Sequence, residues 1–489
     1  MQIMNDIFER KIDLKNRFKI ILFLLVFSFI FSTVSFADEI DTEGSENTEN
    51  TQTVYDTASL GTPELELNAE TAVLMDADTG KILYDKDMNR TMYPASTTKI
   101  LTALVLLDYF SPDAIIRIGN EIAYVPGDSS KAGHVVNECI TVENLLRGLI
   151  IPSGNDTATV AAAAVAKRYI EDEDLPYESS EQVFAQLMNA KAEELGAKNT
   201  HFVNPHGYHN KDHYTTAYDM AVISREAMKN PLIAEIAAQT AFYGNGAENT
   251  LEEDSDIISQ TYTWNTHNFL ISPGSAYYYA NAKGIKTGFT DEAGCCLAAY
   301  ADNGNVKLIA VLFNDTDPER WLDARKLFNY GFDNYSYLNI QESGEVITEM
   351  PLSGQDPFGP EVIGGYARQD KSFLLSEDEY GRIEKEFECN AAASVIRDDT
   401  YYIKAPVAKG DEIGKVKYLL DGETLFEDTL YAETDIQKTS ILQNLKYFVM
   451  NNKIIVLIVI IIIIVILAAV VSARAKARRR RKIKGKGRR

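Results

Sequence analysis

Ser96 and Lys99 are the first residues in the sequence whose types and spacing could do chemistry. They lie in "YPASTTKILTAL", residues 93–104, where an apolar run begins shortly after Pro94. A serine hydroxyl is a poor nucleophile until a neighbouring base takes its proton. Three residues span about one helical turn, so both side chains share one face of a helix that starts near Pro94. This pattern fits a serine nucleophile with a lysine base; the alternative is a helix-capping serine and a solvated lysine.

Lys99 can act as a base only if its amine is neutral near physiological pH. That requires a lowered pKa, through burial or through a nearby positive charge. The unpaired backbone N–H groups at a helix N-terminus would also stabilise negative charge that develops beside Ser96. The rest of the chain must therefore supply burial, a second cation and further polar groups.

A second polar motif follows in "IPSGNDTA", where Ser153 and Asn155 stand between two predicted helices. A serine hydroxyl can relay a proton between the lysine and a leaving group, and a side-chain amide can hold a peptide carbonyl. The alternative is a simple helix cap, because Ser, Asn and Asp all favour that position. On this interpretation both residues belong to the same site as Ser96.

A third motif, "GIKTGFT", places Lys286, Thr287 and Gly288 on a predicted strand. A bound peptide could lie beside this strand as an added edge strand, close to Gly288 because no side chain blocks it. The Lys286 ammonium would help to keep Lys99 neutral. The alternative is an ordinary lysine on a strand edge.

The order SxxK, SxN and KTG is the pattern of penicillin-binding proteins and class A β-lactamases. The wider segments "YPASTTKILTAL", "FVNPHGYHNKDHYTTAYDMA", "GIKTGFTDEAGCCLAAYA" and "RKLFNYGF" make the resemblance closer. With them the chain resembles the serine-type D-alanyl-D-alanine carboxypeptidases, which are low-molecular-weight penicillin-binding proteins of peptidase family S11. The resemblance extends from about Ala69 to the C-terminal membrane end.

The resemblance implies roles for the motif residues. Ser96 would be acylated, Lys99 would accept its proton, and Ser153 would complete the catalytic set. The backbone N–H groups of Ser96 and Phe289 would form the oxyanion hole. Arg320, near the predicted closing helix, would hold the terminal carboxylate of D-alanine, although a surface arginine is the alternative. The residues expected to bind substrate are Asn155, Lys286, Thr287, Gly288, Phe289 and Arg320.

The function predicted from this resemblance is removal of the terminal D-alanine from peptidoglycan stem peptides through an acyl-enzyme on Ser96. β-Lactams would acylate the same serine as inhibitors. A β-lactamase is one alternative, but the segment after SxN holds "AEELGAKN" and lacks the ExxLN arrangement expected there. A D,D-endopeptidase would use the same residues, and a non-catalytic wall-binding protein would need a defect that the motifs do not show.

The elements that must position these residues predict an α/β domain, and the resemblance implies that it has the β-lactamase/transpeptidase-like fold. Two strands come early, a helical subdomain follows, and three strands come late, so one antiparallel sheet joins both ends of residues 66–334. Residues 335–433 have short alternating segments with turns at Lys409-Gly410 and Asp421-Gly422, which predict a small all-β domain.

The two ends of the chain predict export and a membrane anchor. Residues 1–37 have basic residues, an apolar core and a cleavage site typical of a signal peptide, and residues 38–65 form an acidic linker predicted to be disordered. Residues 434–452 would be a stalk and 453–472 a transmembrane helix. The basic tail, 473–489, would be cytoplasmic, which places the catalytic domain on the outer, cell-wall side of the cell membrane.

Charge argues against nucleic acid as a partner. The net charge is −23, and the eleven Lys and Arg residues after Ser472 leave −34 on the rest of the chain. Such a body would repel phosphates. The resemblance implies stem peptides and β-lactams as partners, and the C-terminal apolar segment implies the membrane.

A cluster of histidines and four cysteines raise the question of metal binding. His201, His206, His209 and His213 crowd thirteen residues, but their spacing fits no metal-binding helix and Pro205 indicates a loop. The cysteines show no CxxC spacing. The sequence therefore predicts neither a metal nor another cofactor, and the histidines are interpreted as loop residues.

Overall fold

The computed structural model describes residues 65–247 and 260–486. The predicted signal peptide (1–37), almost all of the linker (38–65) and the last three residues of the basic tail lie outside the described residues. The strands of the N-terminal domain are β1 (Thr71–Asp76), β2 (Ile82–Lys86), β3 (Ile115–Arg117), β4 (Cys139–Thr141), β5 (Ala241–Asn245), β6 (Thr261–Asn265), β7 (Ala282–Thr290), β8 (Gly294–Asp302) and β9 (Lys307–Asp315).

Helices cover both faces of the main sheet of this domain. They are α1 (Lys99–Tyr109), α2 (Val142–Ile150), α3 (Asn155–Ile170), α4 (Tyr177–Glu194), α5 (Ala217–Lys229), α6 (Pro231–Ala237) and α7 (Glu319–Asn334). Two short 3₁₀ turns, Ala95–Thr98 and Asn120–Tyr124, join them. Thr216 caps α5 by accepting a hydrogen bond from the Asp219 N–H.

The main sheet joins the early and late strands, as the sequence predicts. Within the described residues its order is β2-β1-β9-β8-β7, and every pair in it is antiparallel. One apolar core lies between this sheet and the helical subdomain, and it includes the buried face of α1. A second core lies under α7, where Trp321 and Phe328 are fully buried. Strand β7 is left at one edge of the sheet, beside the 3₁₀ turn that carries Ser96.

The C-terminal domain is rich in β-strands. Its elements are β10 (Ser336–Gln341), β11 (Val346–Ser353), β12 (Val362–Tyr366), β13 (Lys371–Leu375), α8 (Glu377–Gly381), β14 (Ile383–Cys389), β15 (Ser394–Arg397), β16 (Thr400–Lys404), β17 (Glu412–Leu420) and β18 (Glu423–Ala432). The domain is not purely β, because α8 interrupts it. A capping box between Ser376 and Glu379 begins this helical turn.

A partly buried ion pair joins the two domains. Lys81 is the residue just before β2. Its amine lies 2.7 Å from a carboxylate oxygen of Glu379 and donates to the Leu374 carbonyl at 2.9 Å. The Glu379 side chain is almost fully buried. The C-terminal domain is thereby held on the side of the sheet at β1 and β2, away from β7.

Two helices follow the β-rich domain, α9 (Ile441–Asn451) and α10 (Lys453–Lys486). In the described part of the chain, one segment is long and apolar enough to cross a membrane, Lys453–Arg478, and an 18-residue window within it has a mean hydropathy of 4.0. It starts where the sequence predicts a transmembrane helix, and the helix continues into the basic tail.

Candidate active site

Ser96 lies in the 3₁₀ turn Ala95–Thr98, which runs directly into α1. The sequence predicts a helix start here, and the structure has this tighter turn in its place. Ser96 is half-buried, and its hydroxyl oxygen lies 2.8 Å from the Lys99 amine. The SxxK spacing therefore does bring the serine and the lysine into contact.

Lys99 is fully buried, and its amine has three oxygen neighbours. Besides Ser96 Oγ, these are Asn155 Oδ1 at 2.7 Å and the backbone carbonyl of His206 at 2.8 Å. Burial holds the pKa of Lys99 well below its usual value, and the charge of Lys286 lowers it further. A neutral amine has two N–H donors and one lone pair. With both donors on the two carbonyl oxygens, the lone pair is directed at the Ser96 hydroxyl.

Ser153 and Asn155 lie in the turn between α2 and α3. Asn155 begins α3, and its Oδ1 faces Lys99. Ser153 has a positive φ of 61°. Its carbonyl accepts a hydrogen bond from the Ser130 hydroxyl at 2.7 Å, while the Asn155 N–H donates to the Ser130 carbonyl at 2.8 Å. The Ser153 hydroxyl itself makes no hydrogen bond to any other described residue and borders the cavity in front of Ser96.

Asp156 holds the loop that packs on this turn, a role that the sequence analysis missed. Its carboxylate accepts hydrogen bonds from the backbone N–H groups of Ala132 (2.7 Å), Gly133 (2.8 Å) and Thr157 (2.9 Å). The carboxylate lies at the N-terminus of α3, where the helix dipole also favours negative charge. The adjacent "SGND" sequence is a signal from which this anchor could have been found.

The KTG residues lie on the edge strand β7, as predicted. Lys286 is buried, and its amine donates to the Thr287 carbonyl at 2.9 Å. Burial, and next the charge of Arg320, lower the pKa of Lys286 to about 7. Gly288 packs so closely on the turn that carries Ser96 that a Cβ atom there would lie 3.0 Å from the Ser96 nitrogen. The Phe289 side chain is exposed beside the cavity.

Arg320, at the start of α7, reaches the same cavity. Its guanidinium donates to the Gly288 carbonyl at 3.5 Å, pairs with Asp317 at 3.3 Å and lies over the Trp321 ring. Its Nε has no hydrogen-bond partner among the described residues. A planar guanidinium with free donors is suited to binding a carboxylate.

An open cavity of about 600 Å³ unites these groups. Lys99 and Lys286 stand behind its wall; the seven other predicted site residues line it, namely Ser96, Ser153, Asn155, Thr287, Gly288, Phe289 and Arg320. His267 also lines the cavity, and its pKa is lowered by burial and by Lys286, Arg320 and Lys99. The sequence analysis missed His267, because an isolated histidine carries no motif.

The histidine cluster contacts the site without forming a metal centre. His206 contributes its backbone carbonyl to Lys99, and His213 lies 2.8 Å from the Thr98 hydroxyl. Across residues 65–247 and 260–486, no group of three or more His, Cys, Asp or Glu side chains is placed to hold a metal ion. The contact of His206 with Lys99 could not be read from the sequence, because it uses a backbone atom.

Comparisons with known proteins show the family to which this chain belongs. The sequence model of the D-alanyl-D-alanine carboxypeptidase family, peptidase S11, matches residues 56–317, and that of the penicillin-binding protein 5 C-terminal domain matches residues 363–438. The D-alanyl-D-alanine carboxypeptidase DacF of Bacillus subtilis is 31% identical over 392 residues, which cover 79% of this chain and 90% of the relative.

A solved structure shows the same architecture in a relative. The crystal structure of penicillin-binding protein 5 from Haemophilus influenzae superposes with a TM-score of 0.53 at 27% identity, covering 77% of this chain and all of that one. DacA of Escherichia coli K12, a D-alanyl-D-alanine carboxypeptidase, is 28% identical over 77% of this chain and 85% of its own length. The chain therefore belongs to the serine-type D-alanyl-D-alanine carboxypeptidases of peptidase family S11.

Proposed function

We propose that this carboxypeptidase removes the terminal D-alanine from peptidoglycan stem peptides, with Ser96 as the nucleophile. The observation that carries the proposal is the buried Lys99 amine, 2.8 Å from Ser96 Oγ, with its two donors held by Asn155 and His206. That arrangement supplies the neutral base that a serine nucleophile needs.

In the first step Lys99 takes the Ser96 proton as Oγ attacks the carbonyl carbon of the penultimate D-alanine. The carbonyl oxygen becomes negative and accepts hydrogen bonds from the backbone N–H groups of Ser96 and Phe289. The bond to the terminal D-alanine then breaks, and the Ser153 hydroxyl relays a proton to the leaving amine. Water next attacks the ester on Ser96, and the shortened peptide leaves.

Binding of the terminal D-alanine falls to the cationic end of the cavity. The Arg320 guanidinium lines the cavity, and Lys286 brings a second positive charge. The Thr287 hydroxyl adds a neutral donor beside them. The peptide chain itself would lie along the open edge of β7, where Gly288 leaves room, with the Asn155 amide on its other side.

The reaction products distinguish this proposal from its alternatives. We expect a stem pentapeptide to yield one free D-alanine and a tetrapeptide per turnover, with no cleavage of a matched peptide that ends in L-alanine. Benzylpenicillin should remain on the protein far longer than one peptide turnover lasts. Mass spectrometry of both reactions measures this; rapid hydrolysis of the penicillin would indicate a β-lactamase. Cleavage of crosslinked dimers alone would indicate an endopeptidase, and no product at all a wall-binding protein.

We propose further that α10 anchors the enzyme in the cell membrane, with the catalytic domain on the outer side. The apolar segment Lys453–Arg478 is long enough to span, and the basic residues that follow favour the cytoplasm. The full-length protein should stay with the membrane fraction at alkaline pH, and a chain truncated before Lys453 should not. Release of the full-length protein by alkaline carbonate would refute the anchor.

A further inference from the structure

The backbone just before the nucleophile has an uncommon conformation. Ala95 has a φ of +45°, in a region that residues other than glycine rarely adopt. Gly207 packs against it so tightly that a Cβ atom on Gly207 would lie 1.8 Å from the Ala95 carbonyl oxygen. Such a conformation persists only where the surrounding structure enforces it. The contacts of the Ala95 carbonyl therefore show what holds the turn.

A directional chain of hydrogen bonds ends on this carbonyl. The Val203 N–H donates to His213 Nδ1 at 3.1 Å, so Nδ1 is an acceptor and the ring hydrogen is on Nε2. His213 Nε2 lies 2.8 Å from Thr98 Oγ1 and donates to it. The Thr98 hydroxyl then donates its own hydrogen to the Ala95 carbonyl at 2.8 Å. Each partner has one possible role, so the chain has one direction.

The surroundings keep this series of hydrogen bonds intact. Thr98 is fully buried and His213 is 2% exposed. His213 packs edge-on against the ring of Phe202 at 5.2 Å. Burial first, and then the charges of His201, His209 and Lys99, lower the pKa of His213 to about 3. The ring is therefore neutral at ordinary pH, as its acceptor role toward Val203 requires.

The Ala95 carbonyl matters because it shares a peptide plane with the Ser96 N–H. In a trans peptide the C=O and N–H bonds point in opposite directions. A carbonyl held by Thr98 on the inner side therefore directs the Ser96 N–H outward, to the side where Gly288 approaches the Ser96 nitrogen. In the proposed mechanism this N–H is one of the two donors to the oxyanion.

We infer that Thr98 and His213 are positioning residues, which hold the Ala95–Ser96 peptide so that its N–H faces the developing oxyanion. The inference rests on Ser96 being the nucleophile of the proposed function. Neither residue touches the substrate, and both act through the backbone. This gives His213, a member of the histidine cluster, a role that needs no metal.

Thr97 offers a matched control beside Thr98. It is buried as well, and its hydroxyl donates to the Pro94 carbonyl at 2.7 Å, also three residues back. The peptide that it holds carries the N–H of Ala95, which takes no part in the proposed chemistry. Thr97→Val and Thr98→Val therefore remove the same kind of hydrogen bond from adjacent residues of one turn.

The test compares Thr98→Val, Thr98→Ser and Thr97→Val in the full-length protein. We expect Thr98→Val to lower both kcat and the rate of acylation by benzylpenicillin by about 10- to 100-fold, somewhat less than loss of an oxyanion donor. Its KM should stay within about twofold of wild type. Thr98→Ser keeps the hydroxyl and should stay within about threefold in rate, as should Thr97→Val, which also removes a buried hydroxyl from this turn.

Equal rate losses in Thr97→Val and Thr98→Val, or a loss confined to KM, would overturn the inference. His213 gives a second measurement. His213→Gln keeps a donor to Thr98 and should retain more activity than His213→Leu. Neither His213 variant should lower the rate further when it is combined with Thr98→Val. The proposed function fails separately, if the wild-type protein itself shows no penicillin adduct on Ser96.

Discussion

A Ser96→Ala variant should form no covalent adduct with benzylpenicillin and release no measurable D-alanine from a stem pentapeptide. Removing Oγ removes the atom to which both acyl groups would be bonded. We expect peptide turnover to fall by roughly 10⁴-fold or more, since residues that act as a catalytic unit fail together when the nucleophile is lost. Intact-protein mass spectrometry measures the adduct, and peptide mapping of the wild-type protein locates it.

The fold should survive this change. Ser96 is only half-buried, and its hydroxyl contacts are the Lys99 amine and a 3.5 Å approach to the His206 carbonyl. Lys99 keeps both carbonyl partners in the variant, so the melting temperature should stay close to that of the wild type. Unchanged reversible binding of penicillin would be a useful control. A stable penicillin ester on the Ser96→Ala protein would assign the nucleophile to another residue.

Local pattern explains why most of the fold could be predicted. The strands β7, β8 and β9 and the buried helix α1 each have an apolar pattern long enough to be distinctive. The strands β3 and β4 have three residues each, too few for any period to show. The helix α6 was missed although Asn230 and Pro231 are a readable start signal, with Asn230 Oδ1 accepting from the Leu232 N–H.

The side chains of the candidate site were predictable because their types are rare together at those spacings. What holds them in place was less visible. His206 acts on Lys99 through a backbone carbonyl, which any residue type would provide. The hydrogen bonds of Thr98 and His213 join residues 115 positions apart, and only the folded chain brings them together. Sequence patterns thus identify reacting groups more readily than the contacts that orient them.

A Lys99→Met variant should acylate about 10²- to 10⁴-fold more slowly, the usual contribution of a general base. Methionine fills similar space but cannot accept a proton. The Asn155 and His206 oxygens lose their donor, but a buried amine is also removed, and these two effects on the free energy of unfolding oppose each other. Lys81→Met is the control, because Lys81 is a half-buried lysine whose pKa is also lowered, chiefly by burial, but it lies at the domain interface. It should keep the wild-type acylation rate.

The pH dependence of acylation assigns the base more directly. In the wild type the rate should fall at acid pH, because a protonated Lys99 cannot take the serine proton, and this limb should lie well below pH 10.5 because the pKa of Lys99 is lowered. It should also fall above about pH 7, because Lys286 then loses the charge that attracts the penicillin carboxylate. Lys99→Met should lose the acid limb and keep the alkaline one. If stopped-flow measurements of the variant still show the acid limb, the base is a group other than Lys99, and the 2.8 Å contact with Ser96 has another purpose.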